Sequence, residues 1–319
     1  MFSRLSWAGF VIAIGLAACS NSTSGGMGFT MNGGDVTQPC NDLAAQLCKK
    51  LNECSSFAFS LAYMDMNQCL SRLGVSCPSG AKANGSGATA TALEACAQAY
   101  ASADCAALVA GVAPAACNIH GSLATNAPCG SSVQCMGDNS YCNIPANQIC
   151  GVCATRSGLG GPCTQTSDCN LDLACASSGM CVTPGDTGAQ CNLQKPCKVS
   201  LSCVNQKCSA PVGAMGTCDP NVQNCDYAAG LFCNTSNTCI PYKVASAGAM
   251  CGLSTTSDSY TLCTGTLLCA TPTMSLRGTC PPISMDGAMC DPNGLKSACL
   301  APAVCVNGVC VLDDPSSCH

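Results

Sequence analysis

The chain has 319 residues, and 35 of them are cysteine, about 11%, above the level at which composition alone points to a disulfide scaffold. Charged residues make up 9% and the net charge is −5, which excludes a charged disordered tail. The large aliphatic side chains that fill a conventional core are scarce, which excludes such a core as well. The twelve Lys and Arg never cluster beyond Lys49–Lys50, so there is no basic footprint for nucleic acid. No apolar run approaches the roughly 18 residues that span a bilayer.

Residues 1–18 have the layout of an export signal. Arg4 supplies the positive charge, and Trp7 to Ala18 is an apolar or small-residue stretch too short to cross a membrane. It runs into Leu16-Ala17-Ala18-Cys19, which resembles the lipobox of bacterial lipoproteins. The resemblance implies cleavage before Cys19, a diacylglyceryl group on its sulfur and acylation of the new amino terminus. Two or more acyl chains give durable anchoring where one gives only marginal binding. By the same resemblance, Ser20 after the lipidated position favours the outer membrane. The competing reading is an ordinary secretory signal with Cys19 as one more bridge partner. Parity favours lipidation: 35 cysteines less Cys19 leaves 34, enough for seventeen bridges. So many bridges require an oxidising compartment, the periplasm or the cell surface. A cytosolic metal store would favour tighter cysteine clusters than these.

Residues 19–39 read as the lipidated cysteine followed by a flexible linker with a mean reach of about 25 Å. Residues 40–118 carry Cys40, Cys48, Cys54, Cys69, Cys77, Cys96, Cys105 and Cys117 along four helical stripes. The first is Cys40, Leu43, Leu47, Leu51 and Cys54. The second is Met66, Cys69, Leu70 and Leu73, with Asp65 as N-cap and Gly74 placed to end it. The third is Leu93, Cys96, Ala97 and Tyr100, opened by a capping-box spacing from Thr91 to Glu94. The fourth is Cys105, Leu108, Val109 and Val112, stopped by Pro114. Every stripe contains cysteine, so the expectation is a small all-α module with four bridges between its helices. Pro78 to Ala90 reads as a long loop in its middle.

Residues 119–319 repeat a four-cysteine pattern. The units are Cys129, Cys135, Cys142 and Cys150; Cys163, Cys169, Cys175 and Cys181; and Cys191, Cys197, Cys203 and Cys208. They continue as Cys218, Cys225, Cys233 and Cys239; Cys251, Cys263, Cys269 and Cys280; and Cys290, Cys299, Cys305 and Cys310. A glycine shortly precedes most first cysteines. The last two cysteines of a unit read as hairpin strands, most clearly around Asn307-Gly308, which suits a two-residue type I′ turn. Four cysteines allow three connectivities; the expectation is first-to-third and second-to-fourth. Cys153 and Cys318 stand outside the count and either bridge each other or leave Cys153 to pair locally. The fold class is therefore small disulfide-rich repeats, built of short β-hairpins and loops, preceded by the helical module.

Residues 129–181 have Cys129-x5-Cys135-x6-Cys142-x7-Cys150-x2-Cys153, then Cys163, Cys169, Cys175 and Cys181. This stretch resembles the N-terminal cysteine-rich domain of Dickkopf proteins, with the Tyr141-Cys142 pair, the Cys-x-x-Cys step and a closing hairpin in common. Two features depart from that family. Its adjacent cysteine pair is single here, at Cys175, and its basic run is replaced by Ala154-Thr155-Arg156-Ser157-Gly158. The resemblance implies a shared scaffold and not the Wnt-modulating role of the animal proteins. The whole layout is similar to cysteine-rich lipoproteins of myxobacteria and related soil bacteria.

No residue set supports a catalytic or metal site. Cys150-Gly151-Val152-Cys153 has thiol–disulfide oxidoreductase spacing but lies among disulfide loops. Ser79-Gly80-Ala81-Lys82 matches the Ser-x-x-Lys pattern in what reads as a Gly-rich loop without partner motifs. The histidines are His120 and His319, and the glutamates are Glu53 and Glu94. The expectation is a non-enzymatic, cofactor-free surface protein anchored to membrane lipid through Cys19. Its repeats would extend outward as a rod or irregular stalk, and the loops between first and second cysteines would contact an extracellular protein or glycan. A protease-resistant envelope spacer and, less favoured, a thiol enzyme are the alternatives.

Overall fold

The computed structural model describes residues 35–109, 111–254, 258–265, 269–271, 276–312 and 314–318. The stretch expected to be an export signal, Cys19 and most of the expected linker fall outside them. No described helix is long and apolar enough to cross a membrane.

Five helices form the first unit: α1 (Thr37–Cys54), α2 (Ser56–Tyr63), α3 (Met66–Lys82), α4 (Ala90–Ala101) and α5 (Cys105–Val109). The predicted apolar stripe of α1 is its buried face, with Leu43, Leu47 and Leu51 at 3–5% exposure. Four bridges staple the unit. Cys40–Cys77 and Cys48–Cys69 join α1 to α3, Cys54–Cys105 joins α1 to α5, and Cys96–Cys117 joins α4 to the turn Ala115–Cys117. Asp65 caps α3 as expected, accepting the Gln68 N–H at 2.8 Å.

Four local expectations are corrected. Helix α5 ends at Val109, so Val112, expected on its stripe, lies beyond it and is 47% exposed. Gly74 does not end α3, which runs through Gly74 and Pro78 to Lys82, so the loop begins only at Ala83. The Cys40–Cys77 bridge holds these last turns against α1, and a Cβ on Gly74 would stand 3.4 Å from the Asn41 carboxamide oxygen. A contact at that distance is ordinary, so it is the tertiary bridge that overrides the helix-ending tendency of Gly74. The start of α4 is capped by Thr89, whose hydroxyl accepts from Ala92 N–H, and not by Thr91. Finally, α2 carries no one-sided stripe because both of its sides are covered. Phe59 and Tyr63 join the helical core, while Phe57 stacks on Tyr242 at 5.5 Å on the other side.

The six repeats share one plan. In repeats two to six the bridges run first-to-third and second-to-fourth: Cys163–Cys175 and Cys169–Cys181, Cys191–Cys203 and Cys197–Cys208, Cys218–Cys233 and Cys225–Cys239, Cys251–Cys269 and Cys263–Cys280, Cys290–Cys305 and Cys299–Cys310. The incoming chain pairs in parallel with the second cysteine every time: Leu123 with Cys135, Ser157 with Cys169, Gly185 with Cys197, Val212 with Cys225, Ala245 with Cys263 and Ser284 with Cys299. The residue three before each first cysteine is left-handed: Asn126, Gly160, Gly188, Met215, Gly248 and Gly287, with φ between 62° and 82°. Its N–H donates to the carbonyl of the fourth cysteine in every unit, at 2.7–2.9 Å. A left-handed backbone is what glycine supplies without steric cost, which explains the glycine ahead of most repeats. The hairpins Ser202–Val204/Lys207–Ser209 and Val304–Val306/Val309–Val311 close on two left-handed residues, Asn205-Gln206 and Asn307-Gly308, as type I′ turns require.

The first repeat departs from its expected cysteine roles. Cys129 pairs with Cys142, but Cys135 pairs with Cys153, and Cys150 pairs with Cys318. Cys153 is therefore the true fourth cysteine. Its carbonyl accepts the Asn126 N–H at 2.7 Å, the bond made by the fourth cysteine of every other unit.

The array does not extend as a rod; it closes around the helices. The first repeat docks on the α3–α4 loop, with Gly87 N–H donating to Val133 carbonyl at 2.9 Å. The fourth and fifth repeats cover α2 through Tyr227, Tyr242 and a Gly265 N–H bond to Leu61 carbonyl at 2.7 Å. The sixth repeat docks on α3 through Arg72, which is bidentate to Asp286 at 2.6 and 2.9 Å and donates to the Leu300 and Ala301 carbonyls. The tail turn Pro315–Ser317 then returns to the first repeat, where Cys318 is bonded to Cys150.

Candidate functional site

In the first, second, third, fourth and sixth repeats the loop between the first and second cysteines is fixed by its own polar side chains. In the first repeat, Gln134 is fully buried; its carboxamide oxygen accepts from Gly130 and Ser131 N–H at 2.8 and 3.0 Å, and its nitrogen donates to Asn84 carbonyl at 2.8 Å. The same position, one before the second cysteine, is Asp168 in the second repeat and Asn224 in the fourth. Each accepts the N–H of the residue after its first cysteine, Thr164 or Asp219. Burial pulls the Asp168 carboxyl upward, but the hydrogen bonds from Thr164 and Gln165 outweigh it and leave the group below the usual carboxylate range.

In the third, fourth and sixth repeats the residue after the first cysteine organises the loop from the other side. Asn192 accepts from Gln194 and Lys195 N–H at 2.8 and 3.0 Å. Asp219 accepts from Asn221 N–H at 2.8 Å. Asp291 accepts from Asn293, Leu295 and Lys296 N–H at 3.0–3.2 Å, bonds that hold its carboxyl below the ordinary value. Each of these loops carries an exposed apolar residue, Leu193 at 81%, Val222 at 38% and Leu295 at 49%. These caps were legible only as scattered Asn, Asp and Gln; their fixed offsets from the cysteines are the signal that sequence reasoning left unused.

The expectation that all such loops face outward is corrected for the first repeat, where Val133 and Gln134 are buried against the helical unit. A loop drawn into an interface has no surface to offer.

Cys150 immediately precedes the strand Gly151–Thr155 and Cys153 lies within it, with each sulfur bonded elsewhere. Residues three apart in a strand stand roughly 10 Å apart, well beyond the span of a disulfide. In this fold the two sulfurs are bonded to other partners and not to each other. Ser79 and Lys82 lie on the last turn of α3 rather than in the expected loop, and the Ser79 hydroxyl donates to Ser76 carbonyl at 3.0 Å. His120 faces Asp138 at 3.4 Å. Triplets of cysteine sulfur do gather in the repeats, for example Cys129, Cys135 and Cys153, but these are bridged sulfurs, and a metal requires thiolate. An apolar cavity bounded by Leu51, Phe59, Tyr63, Val109 and Tyr227 has a volume of about 20 Å³, room for about one water and not for a substrate.

No protein-family model, curated protein or solved structure matches the chain.

Proposed function

We propose that the protein is a lipid-anchored binding module of the bacterial cell envelope, attached through Cys19. It engages an extracellular protein through the loop tips of its third, fourth and sixth repeats. The observation that carries this reading is the pairing of an exposed apolar residue with a pre-set backbone: Leu193, Val222 and Leu295 sit in loops already fixed by Asn192, Asp219 and Asp291. Ordering a loop in advance lowers the entropic cost of association. On this reading the likeness of residues 129–181 to the Dickkopf domain is one of scaffold alone.

Immobilised protein should retain a partner from the cell exterior, and the triple variant Leu193→Asp, Val222→Asp, Leu295→Asp should lose it while melting at the same temperature. Undiminished retention by that variant would remove the tips from the binding surface. Fatty-acid label should enter the wild type and not Cys19→Ser; an unlabelled wild type would end the anchoring half of the proposal.

A second reading, a protease-resistant envelope component without a ligand, is favoured by the covalent closure at Cys150–Cys318. Cells lacking the protein would then lose envelope robustness without losing any specific attachment.

A further inference from the structure

Methionine is normally a buried side chain, yet seven of the eight described methionines are between 42% and 81% exposed. Met66 alone among them packs against the helical core. Four of the exposed ones are chain neighbours of bridged cysteines: Met136 follows Cys135, while Met180, Met250 and Met289 precede Cys181, Cys251 and Cys290. The arrangement is tied to the repeat plan. Met180 is paired across the ladder with Pro162, Met250 with Thr279 and Met289 with Val309, so in three repeats the thioether occupies one of the two facing positions just before the first and fourth cysteines.

The backbone alternation of an extended segment sends adjacent side chains to opposite faces. Met136, Met180 and Met250 are accordingly 58%, 45% and 61% exposed, while Cys135, Cys181 and Cys251 are 0–2% exposed. An oxidisable sulfur thus stands in solvent beside a bonded sulfur held inside. Every described cysteine is in a bridge, so the thioethers are the most readily oxidised sulfur the described surface presents.

We infer that Met136, Met180, Met250 and Met289 are oxidation sites that consume hypohalous acid ahead of the bridges they flank. The thioether sulfur gives an electron pair and gains the oxygen of hypochlorous acid. It becomes a sulfoxide, oxidised by two electrons, while chloride and a proton leave. The polar sulfoxide points into water and removes no packing, since disulfides and not these side chains hold the repeats together. Cells can reduce methionine sulfoxide, whereas cysteine sulfonic acid is irreversible. The inference needs only the exposure of these residues and stands apart from the binding proposal.

The test is a stepwise titration of the intact oxidised protein with hypochlorous acid, followed by peptide mass spectrometry and thermal melting. The wild type should take one oxygen at each of the four methionines with all bridges intact and its melting temperature unchanged. The variant Met136→Leu, Met180→Leu, Met250→Leu, Met289→Leu conserves volume and should fold alike. Its Cys135, Cys181, Cys251 and Cys290 should reach sulfonic acid roughly four equivalents per chain earlier, one for each thioether removed. Loss of the bridges at the same dose in both proteins would overturn the inference, as would oxidation of the four methionines no sooner than Met66.

Discussion

Cys150 is bonded to Cys318 across a sequence separation of 168, whereas Cys153, three residues on, is bonded to Cys135 within the first repeat. The other sixteen bridges span 11 to 51 residues and staple a single unit each. One half of a Cys-x-x-Cys step therefore makes a repeat and the other half closes the array. Beside the closure, a Cβ on Gly130 would meet the Pro315 Cα at 2.5 Å, so the tail turn rests directly on backbone of the first repeat.

Removing that closure should loosen the tail selectively. In the chain-entropy account a bridge over so long a loop contributes up to about 5 kcal/mol, less here because the repeats' own bridges already shorten the unfolded loop. The double variant Cys150→Ser, Cys318→Ser should melt at a lower temperature and exchange amide hydrogens faster in residues 281–318 than elsewhere. Wild-type protection of that segment would mean that its noncovalent contacts suffice.

Arg72 is the noncovalent counterpart, and its side chain is 10% exposed. Arg72→Ala leaves the Ala301 carbonyl and the Asp286 carboxylate without their donor, and the Leu300 carbonyl with the Ala303 N–H alone. Allowing for the solvent contact of Asp286, the cost should be about 2 kcal/mol. Denaturant unfolding of the variant beside the wild type measures it.

The same pair gives a pH dependence. The hydrogen bonds from Arg72 hold the Asp286 carboxyl below its ordinary value of 3.8. A group with a lowered folded-state pKa favours folding at pH above its unfolded value, and the contribution disappears as pH falls through the folded value. Wild-type stability should therefore drop on acidification below about pH 4 by more than that of Asp286→Asn. Parallel curves for the two proteins would contradict the assignment.

Met215 occupies, with φ 62°, the position that is glycine in four of the other repeats. Met215→Gly should relieve left-handed strain and raise stability by up to about 1 kcal/mol, partly offset by the freer unfolded chain. Gly188→Ala is the mirror experiment. A Cβ there meets nothing within 4 Å, so the expected loss of about 1–2 kcal/mol is conformational alone. Thermal melts of both variants check the sign.

Gln134→Ala should be the most damaging loop substitution. It strips three backbone partners, Gly130 N–H, Ser131 N–H and Asn84 carbonyl, from a residue with no exposure. A loss of about 3 kcal/mol is expected, since unsatisfied buried polar groups carry their full desolvation cost. A much smaller loss would mean that water reaches the junction of the first repeat with the α3–α4 loop.

Some of this was legible before any coordinates. The stripe of α1, the Asp65 cap and the Asn307-Gly308 turn are local patterns, decided by the 3.6-residue helical period, one carboxylate and two φ angles. The pairing scheme of repeats two to six was anticipated as one choice among three. Helix α2 was missed because its apolar residues look in two directions, and periodicity registers only one. Gly74 misled because its helix-ending tendency is local, while the Cys40–Cys77 bridge holds the following turns on α1.

What the sequence determined by itself is the unit: spaced cysteines, a left-handed residue three positions ahead of each set and a short hairpin behind it, all set by interactions between near neighbours. Only the tertiary structure decided which of Cys150 and Cys153 belongs to the repeat, which loop is lost to an interface, and that the array returns to its own beginning. Those outcomes depend on contacts between segments far apart in the chain, such as Arg72 with Asp286 and Cys150 with Cys318. Spacing along the chain carries no information about which distant surfaces fit.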